Sequence, residues 1–300
     1  TLMQVMRLGI KEFFTQPVDE KEVKNALARF KERKQAPSGK QLSKSGQVIS
    51  IFGSKGGVGT TTVAVNLAIS LAQGETAQSV ALIDMNTLFG EIPLFLEMSP
   101  KFHWGEITKN IDRLDDTFLA NILTTHRSGI KVLPSPAYLN GHIRPTPEIM
   151  SRLLALMRRM FDYVIIDGGQ STNDTSLKVL EISDKLLLIT ILSLPCLANT
   201  NKLLRSLSDL GYVDRDRIKV VLNRYMKKGD ISLKDAEEGI GTKLLHTIPN
   251  DYGATMTAIN NGQPLVSIAP KTPIVRSFTD LAASLSAQSE TKAKKKWKLF

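Results

Sequence analysis

Residues Phe52–Thr62 read FGSKGGVGTTT, with glycines at 53, 56, 57 and 59 and threonines at 60, 61 and 62. Glycines at this density let the chain turn tightly and bring main-chain N–H groups to one point. An apolar run, Val48–Phe52, leads in, and a helical run, Val63–Ala72, leads out. A helix that starts on such a loop adds the partial positive charge of its first turn. Strand, loop and helix together make a cradle for a phosphate group. Its candidate residues are Gly53, Ser54, Lys55, Gly56, Gly57, Val58, Gly59, Thr60, Thr61 and Thr62. Lys55 is the only cation in the stretch, and position 60, just before the Thr61–Thr62 pair, is threonine. The bland alternative is a glycine-rich turn that holds no ligand.

Three more polar residues end apolar runs. Asp167 closes YVIID, where it can hold Mg²⁺ through water; it can also cap the next helix, as can Asn173 or Asp174. Asp84 closes VALID, and taken alone it is a strand-end residue. Asn223 closes IKVVLN and offers both a donor and an acceptor, as an adenine edge requires, although a lone strand-end Asn is commonly a turn residue. The four histidines are scattered, without metal-ligand spacing.

These residues need a framework, and the chain supplies alternating patterns from Gln47 onward. Short apolar runs without alternation predict strands near 47–53, 79–84, 130–134, 161–167, 184–191, 217–222 and 244–248. Helical patterns fall near 60–73, 147–160, 174–182, 197–210, 253–261 and 273–286. Strands joined by helical crossovers predict an α/β fold: a doubly wound, mostly parallel sheet. Upstream, a helix over 2–8, a strand over 11–14 and a helix over 20–34 are too few to enclose a core. A polar linker, 35–46, follows them. The expected organisation is therefore 1–34, a linker at 35–46, a main domain over 47–288 and a basic tail over 289–300.

With those pieces in order, SKGGVGTTT resembles the deviant phosphate loop of the MinD/ParA class, usually written K-G-G-V-G-K-T-T. The resemblance places Lys55 on the signature lysine, which in that class reaches across a nucleotide-sandwich dimer to the partner's phosphates. It places Thr61 on the Mg²⁺-binding hydroxyl and Thr60 where a second lysine stands. It matches VALIDMNTLFGEIPLFLEM to switch I, so Asp84 keeps the first carboxylate of an Asp-x-Asp pair and Asn86 replaces the second. It matches FDYVIIDGGQSTND to the strand whose Asp167 serves Mg²⁺, and IKVVLNRYMKKG to the strand with the adenine-reading Asn223. The segment from Ile248, with Pro249 and Asp251, resembles the base-side closure. The implied cofactors are ATP or ADP with Mg²⁺. The metal residues would be Thr61, Asp84 and Asp167, and any turnover would rest on Lys55, Asp84 and Asn86. Losing one charged hydrogen bond to a phosphate is worth roughly 1.5–3 kcal/mol, or roughly 10- to 100-fold in affinity. Hydrolysis is hit harder, because a lysine there also stabilises developing charge. Binding with weak or no hydrolysis is the expectation.

Within that class, TLFGEIPLFLEM resembles the F-G-D stretch of the CpaE/TadZ pilus-assembly branch, and VMRLGIKEFFTQPVDEKEVKNAL resembles the last third of a receiver domain. The resemblance implies a nucleotide-dependent homodimer that positions the Tad (Flp, type IVb) pilus secretion machinery at a cell pole. Two rivals remain: a partition ATPase that binds DNA non-specifically, and a site-selecting ATPase of the MinD or flagellar-number type with real turnover.

Charge bears on these rivals. The formal net charge is +10, of which +5 lies in residues 1–46 and +4 in 290–300, leaving +1 for the body. A near-neutral body argues against a DNA-coating surface. The tail, KAKKKWKLF, is expected to be a disordered, solvated run or a peripheral membrane contact. One cysteine, Cys196, no signal peptide and no apolar run of 18 residues suit a cytoplasmic setting, at a pole or the inner face of a membrane. Starting at Thr1 rather than Met, the chain is expected to be a piece of something longer.

Overall fold

The structure, a computed structural model, describes residues 45–74, 76–86, 90–136 and 145–297, with side chains through 287. Residues 1–34, expected from the sequence to be receiver-like, and nearly all of the expected linker lie outside the described residues.

One eight-stranded sheet organises them: β1 Gln47–Gly53, β2 Val80–Asp84, β3 Thr124–Thr125, β4 Lys131–Leu133, β5 Tyr163–Asp167, β6 Lys185–Thr190, β7 Ile218–Tyr225 and β8 Leu244–Pro249. Their order is β3-β4-β2-β5-β1-β6-β7-β8. All neighbours run parallel except β3, which pairs antiparallel with β4. The central strands β2, β5 and β6 are buried along their whole length, which is why they carry unbroken apolar runs rather than alternation. The doubly wound α/β expectation is met.

The helices are α1 Thr60–Ala72, α2 Ile92–Phe95, α3 Trp104–Lys109, α4 Asp116–Ile122, α5 Pro147–Met160, α6 Asp174–Ile182, α7 Leu194–Asp209, α8 Leu233–Ile240, α9 Tyr252–Asn260, α10 Leu265–Ile268 and α11 Pro273–Trp297. They cover both faces. One core joins α1 to the sheet and to Phe278, Leu281 and Leu285 of α11. A second core, on other residues of the same strands, joins Trp104 and Ile107 of α3 to Leu153 and Met157 of α5. Truncating any of these fully buried side chains to Ala would cost about 2–5 kcal/mol.

The chain winds from β1 out to β2 and β4, returns to β5, then crosses to β6, β7 and β8. The turn of direction falls around β1, and ligands of open α/β sheets bind outside the carboxyl ends of the strands at that point. The opposite end is tied shut. Asp184 accepts from Arg158 at 2.6 Å and from Val48 N–H at 2.8 Å, and Arg158 also donates to the carbonyl of Ile182.

The differences from expectation are local. Helix α7 starts at Leu194, earlier than 197, because Pro195 fits the first turn of a helix. Helix α11 runs on to Trp297 where an end near 286 and a disordered tail are expected; Ala, Gln, Glu and Lys past 286 are good helix formers with no breaker among them. The sequence reading places no helix at α2, α3, α4, α8 or α10, all eight residues or shorter.

Candidate functional site

The glycine loop is clamped from beneath and from the side. Gly53 N–H donates to the carbonyl of Gly169 at 2.8 Å, and Ser54 N–H to that of Ile189 at 2.9 Å. Further along, loop carbonyls are held by side chains: Asn199 on Ser54, Asn223 on Val58 at 2.8 Å and Arg224 on Gly57 at 2.9 Å. Gly59 turns the chain into α1 with φ +92°, and a Cβ there would lie 2.4 Å from Asn223 Nδ2. Only glycine meets both demands.

Helix α1 then opens without a side-chain cap and without an acidic residue in its first turn. Helices α3, α4, α5, α6, α8 and α9 have side-chain caps; α2, α7 and α10 lack them too, but α2 and α7 carry a proline in the first turn, which removes a donor. The first N–H groups of a helix have no partner inside it. At α1 those orphan donors belong to Thr60, Thr61 and Thr62, and all three residues line a cleft of about 490 Å³. An anion is the ligand such an end prefers.

The acidic side is built by register. Asp84 and Asp167 are paired across β2 and β5 and are each 1% exposed. Asp84 accepts from Asn86 N–H at 2.9 Å and Ile92 N–H at 3.3 Å. Asp167 accepts from the Thr61 hydroxyl at 2.6 Å. Burial, with the neighbouring Asp167 charge second, pushes the Asp84 carboxyl up to about 7. Burial pushes Asp167 up to about 6, against the pull of the Thr61 hydrogen bond. Two carboxylates held out of water are costly unless a cation comes to them. Hydroxyl and carboxylate oxygens are the donors that Mg²⁺ prefers. Among the described residues no three His, Cys, Asp or Glu form a metal cluster, so water and ligand oxygens would complete any such shell.

The structure therefore sorts the candidates. Lys55, Gly56, Gly57, Gly59, Thr60, Thr61, Thr62 and Asn86 line the cleft. Gly53, Ser54 and Val58 are buried beneath it, and Asp167 stands behind Thr61 with Asp84 next to it across the sheet. Asn223, Pro249 and Asp251 line a narrower space of about 70 Å³ beside it, which also touches Gly59 and Thr62. Asn223 is already engaged, donating to Val58 and accepting from Arg224 N–H at 2.9 Å, so one N–H and one lone pair remain for a ligand. Asp251 doubles as the cap of α9.

Several lining residues are not expected from the sequence. Glu91, Gln170 and Arg224 line the cleft, and Arg224 and Tyr252 line the narrow space. Glu91 lies in a quoted motif, and its charge bears on both buried aspartates. Arg224 directly follows Asn223, but its φ of +54° has no sequence signal.

Known proteins share this fold. A family model described as an AAA domain, AAA_31, matches residues 46–220. An uncharacterized ATP-binding protein of Methanocaldococcus jannaschii is 24% identical over 254 residues, covering 84% of this chain and 92% of that protein. The septum site-determining protein MinD of Thermotoga maritima is 24% identical over 250 residues, covering 81% and 89%. Among solved structures, a ParA family ATPase from Chlorobium tepidum superposes with a TM-score of 0.74 at 28% identity, covering 79% of this chain and 98% of that one. The fold is also that of MinD from Pyrococcus horikoshii, solved with Mg-ADP, at a TM-score of 0.69 and 23% identity over 83% of this chain and 99% of that one. With its family model spanning more than half its length, this chain belongs to the AAA_31 family of AAA domains, within the MinD/ParA group of P-loop proteins.

Proposed function

We propose that the chain binds ATP or ADP with Mg²⁺, hydrolyses ATP slowly or not at all, and pairs with a second copy when loaded. The observation that carries this is the uncapped start of α1 over a cleft, with the Thr61–Asp167 pair beside it and threonine at position 60. Phosphates would rest on the first-turn amides of α1 and on Lys55. Mg²⁺, held near Thr61 and Asp167 and reached by Asp84 through water, would supply charge neutralisation at the phosphates. The base would fill the space between Asn223 and the Pro249–Asp251 turn. Slow turnover follows from two neutral residues, Thr60 and Asn86, at positions where a cation and a proton acceptor would assist transfer.

Pairing is supported by the rim. Among the described residues six large hydrophobic side chains are exposed, and Leu94, Leu194, Met226 and Tyr252 all follow the carboxyl ends of parallel strands β2, β6, β7 and β8. They share the edge of the sheet that carries the cleft. A nucleotide bound where two such edges meet ties association to occupancy by mass action.

The role that fits is a lasting positional scaffold. The proposal of a CpaE/TadZ-like protein that localises a Tad pilus secretion machinery rests on TLFGEIPLFLEM, on the receiver-like segment 1–34 and on the 35–46 linker that joins it to the main domain. The lysine-rich end of α11, with Trp297, supports a peripheral membrane contact. Sizing by light scattering with ADP, ATP and a non-hydrolysable analogue tests the scaffold. ATP should shift the mass to that of two chains and hold it for hours, and a mass that never responds to nucleotide contradicts the reading.

One observation favours a second reading, a site-selecting ATPase with real turnover: Glu91 puts a carboxylate in the cleft that Asn86 does not. Brisk phosphate release that is lost in Glu91→Gln would establish it.

A further inference from the structure

We propose that Arg224 is the second phosphate-binding cation of the cleft, reaching in from the end of β7 in place of a lysine in the loop. The inference rests on the nucleotide reading above and adds to it a residue that the loop motif does not contain. Three residues line both the 490 Å³ cleft and the 70 Å³ space: Gly59, Thr62 and Arg224. Of these only Arg224 is charged. A ligand with its phosphates in one space and its base in the other must pass beside it.

The backbone is shaped to put it there. The pairing of β7 with β8 slips between Leu222 and Tyr225, leaving Asn223 and Arg224 in a bulge. Arg224 takes φ +54°, a left-handed conformation that a non-glycine residue adopts only under constraint. That turn brings its N–H onto the side-chain Oδ1 of Asn223 at 2.9 Å and its Nη2 onto the main-chain carbonyl of Gly57 at 2.9 Å. Bulges and strained residues of this kind recur beside active sites, where they re-aim a side chain.

The guanidinium also has capacity to spare. Arg224 is exposed, belongs to none of the ion pairs among the described residues, and uses one N–H of its five on Gly57. A guanidinium fork binds phosphate oxygens in pairs. Thr60 leaves the loop one cation short, and Arg224 is hydrogen-bonded to that same loop.

Calorimetry on the full chain with Mg-ATP and Mg-ADP tests this, using Arg224→Ala, Arg224→Lys, Arg224→Gly, Thr60→Lys and the Thr60→Lys/Arg224→Ala pair. Arg224→Ala should weaken binding by roughly 10- to 100-fold, and Arg224→Lys should recover part of it. In the Thr60→Lys background the same Ala change should cost less than about threefold, since two groups serving one charge are not additive. Arg224→Gly should lose affinity like the Ala variant while its nucleotide-free melting temperature does not fall, because glycine removes the strain. Equal affinity in the natural chain and Arg224→Ala, with both folded by thermal melt, overturns the inference and leaves the nucleotide reading intact. No binding by the natural chain overturns both.

Discussion

The wide cleft over the glycine loop and the narrow space beside Asn223 share a wall but are made differently. The cleft has one wall from a single stretch, 55–62, whose main chain and helix tip face it, with further residues from the ends of β2, β5 and β7 opposite. The narrow space is assembled from the ends of β7 and β8 and from α9 and α11, with Met256, Ile259, Ile274 and Phe278 supplying an apolar floor. The first is a surface for charge that any phosphate chain satisfies. The second is a surface for shape and a few directed hydrogen bonds. On the proposed reading, phosphate is met mainly by one loop with Arg224 added from β7, and the rest of the ligand by residues gathered from several elements.

Substitutions probe the two spaces separately. The largest effect is expected at Gly59, in the shared wall. Gly59→Ala sets a Cβ 2.4 Å from Asn223 Nδ2 at φ +92°, so it should cost about 2–3 kcal/mol of stability and abolish nucleotide binding, read by chemical melts and calorimetry. Next is Asp167→Ala. It should remove the Mg²⁺-dependent part of nucleotide affinity while leaving the ligand-free chain as stable or more so, because a buried carboxylate is gone. Melts with and without Mg²⁺ and nucleotide check both halves. Asn223→Ala separates the two spaces. It should cost about 1–2 kcal/mol, since the Val58 carbonyl loses its donor, and should erase the preference for ATP over a pyrimidine triphosphate. Inorganic triphosphate should bind the variant and the natural chain alike. The smallest effect is expected at Gly56, where a Cβ would meet only the end of the Gln170 side chain at 3.3 Å. Gly56→Ala should change stability by no more than about 0.5 kcal/mol, measured against Gly59→Ala in the same melts.

The same division explains what the sequence discloses. The cradle is legible because its glycines stand together and because strand and helix patterns flank them. Asp84 and Asp167 are legible because each ends an apolar run, and parallel register then sets them side by side. Helix α8 is absent from the sequence reading although Ser232 and Asp235 form a capping box, a signal that periodicity over eight residues does not reinforce. Helices α2, α3 and α4 are short and held by packing of residues such as Ile92, Ile107 and Leu119 rather than by pattern. Arg224 is harder still, because its role depends on a bulge and a positive φ that tertiary contacts impose. Glu91 stands in the stretch that resembles F-G-D, but its place in the cleft is set by the fold.

On the proposed reading, main-chain amides, a helix tip, Lys55 and Arg224 together hold a nucleotide although residue 60 is threonine. Calorimetric titration of the full chain with ATP in the presence of Mg²⁺ tests it most directly. The account predicts saturable heat with one nucleotide per chain, strengthened by Thr60→Lys. A flat titration at millimolar ATP, from protein shown to be folded, would contradict it.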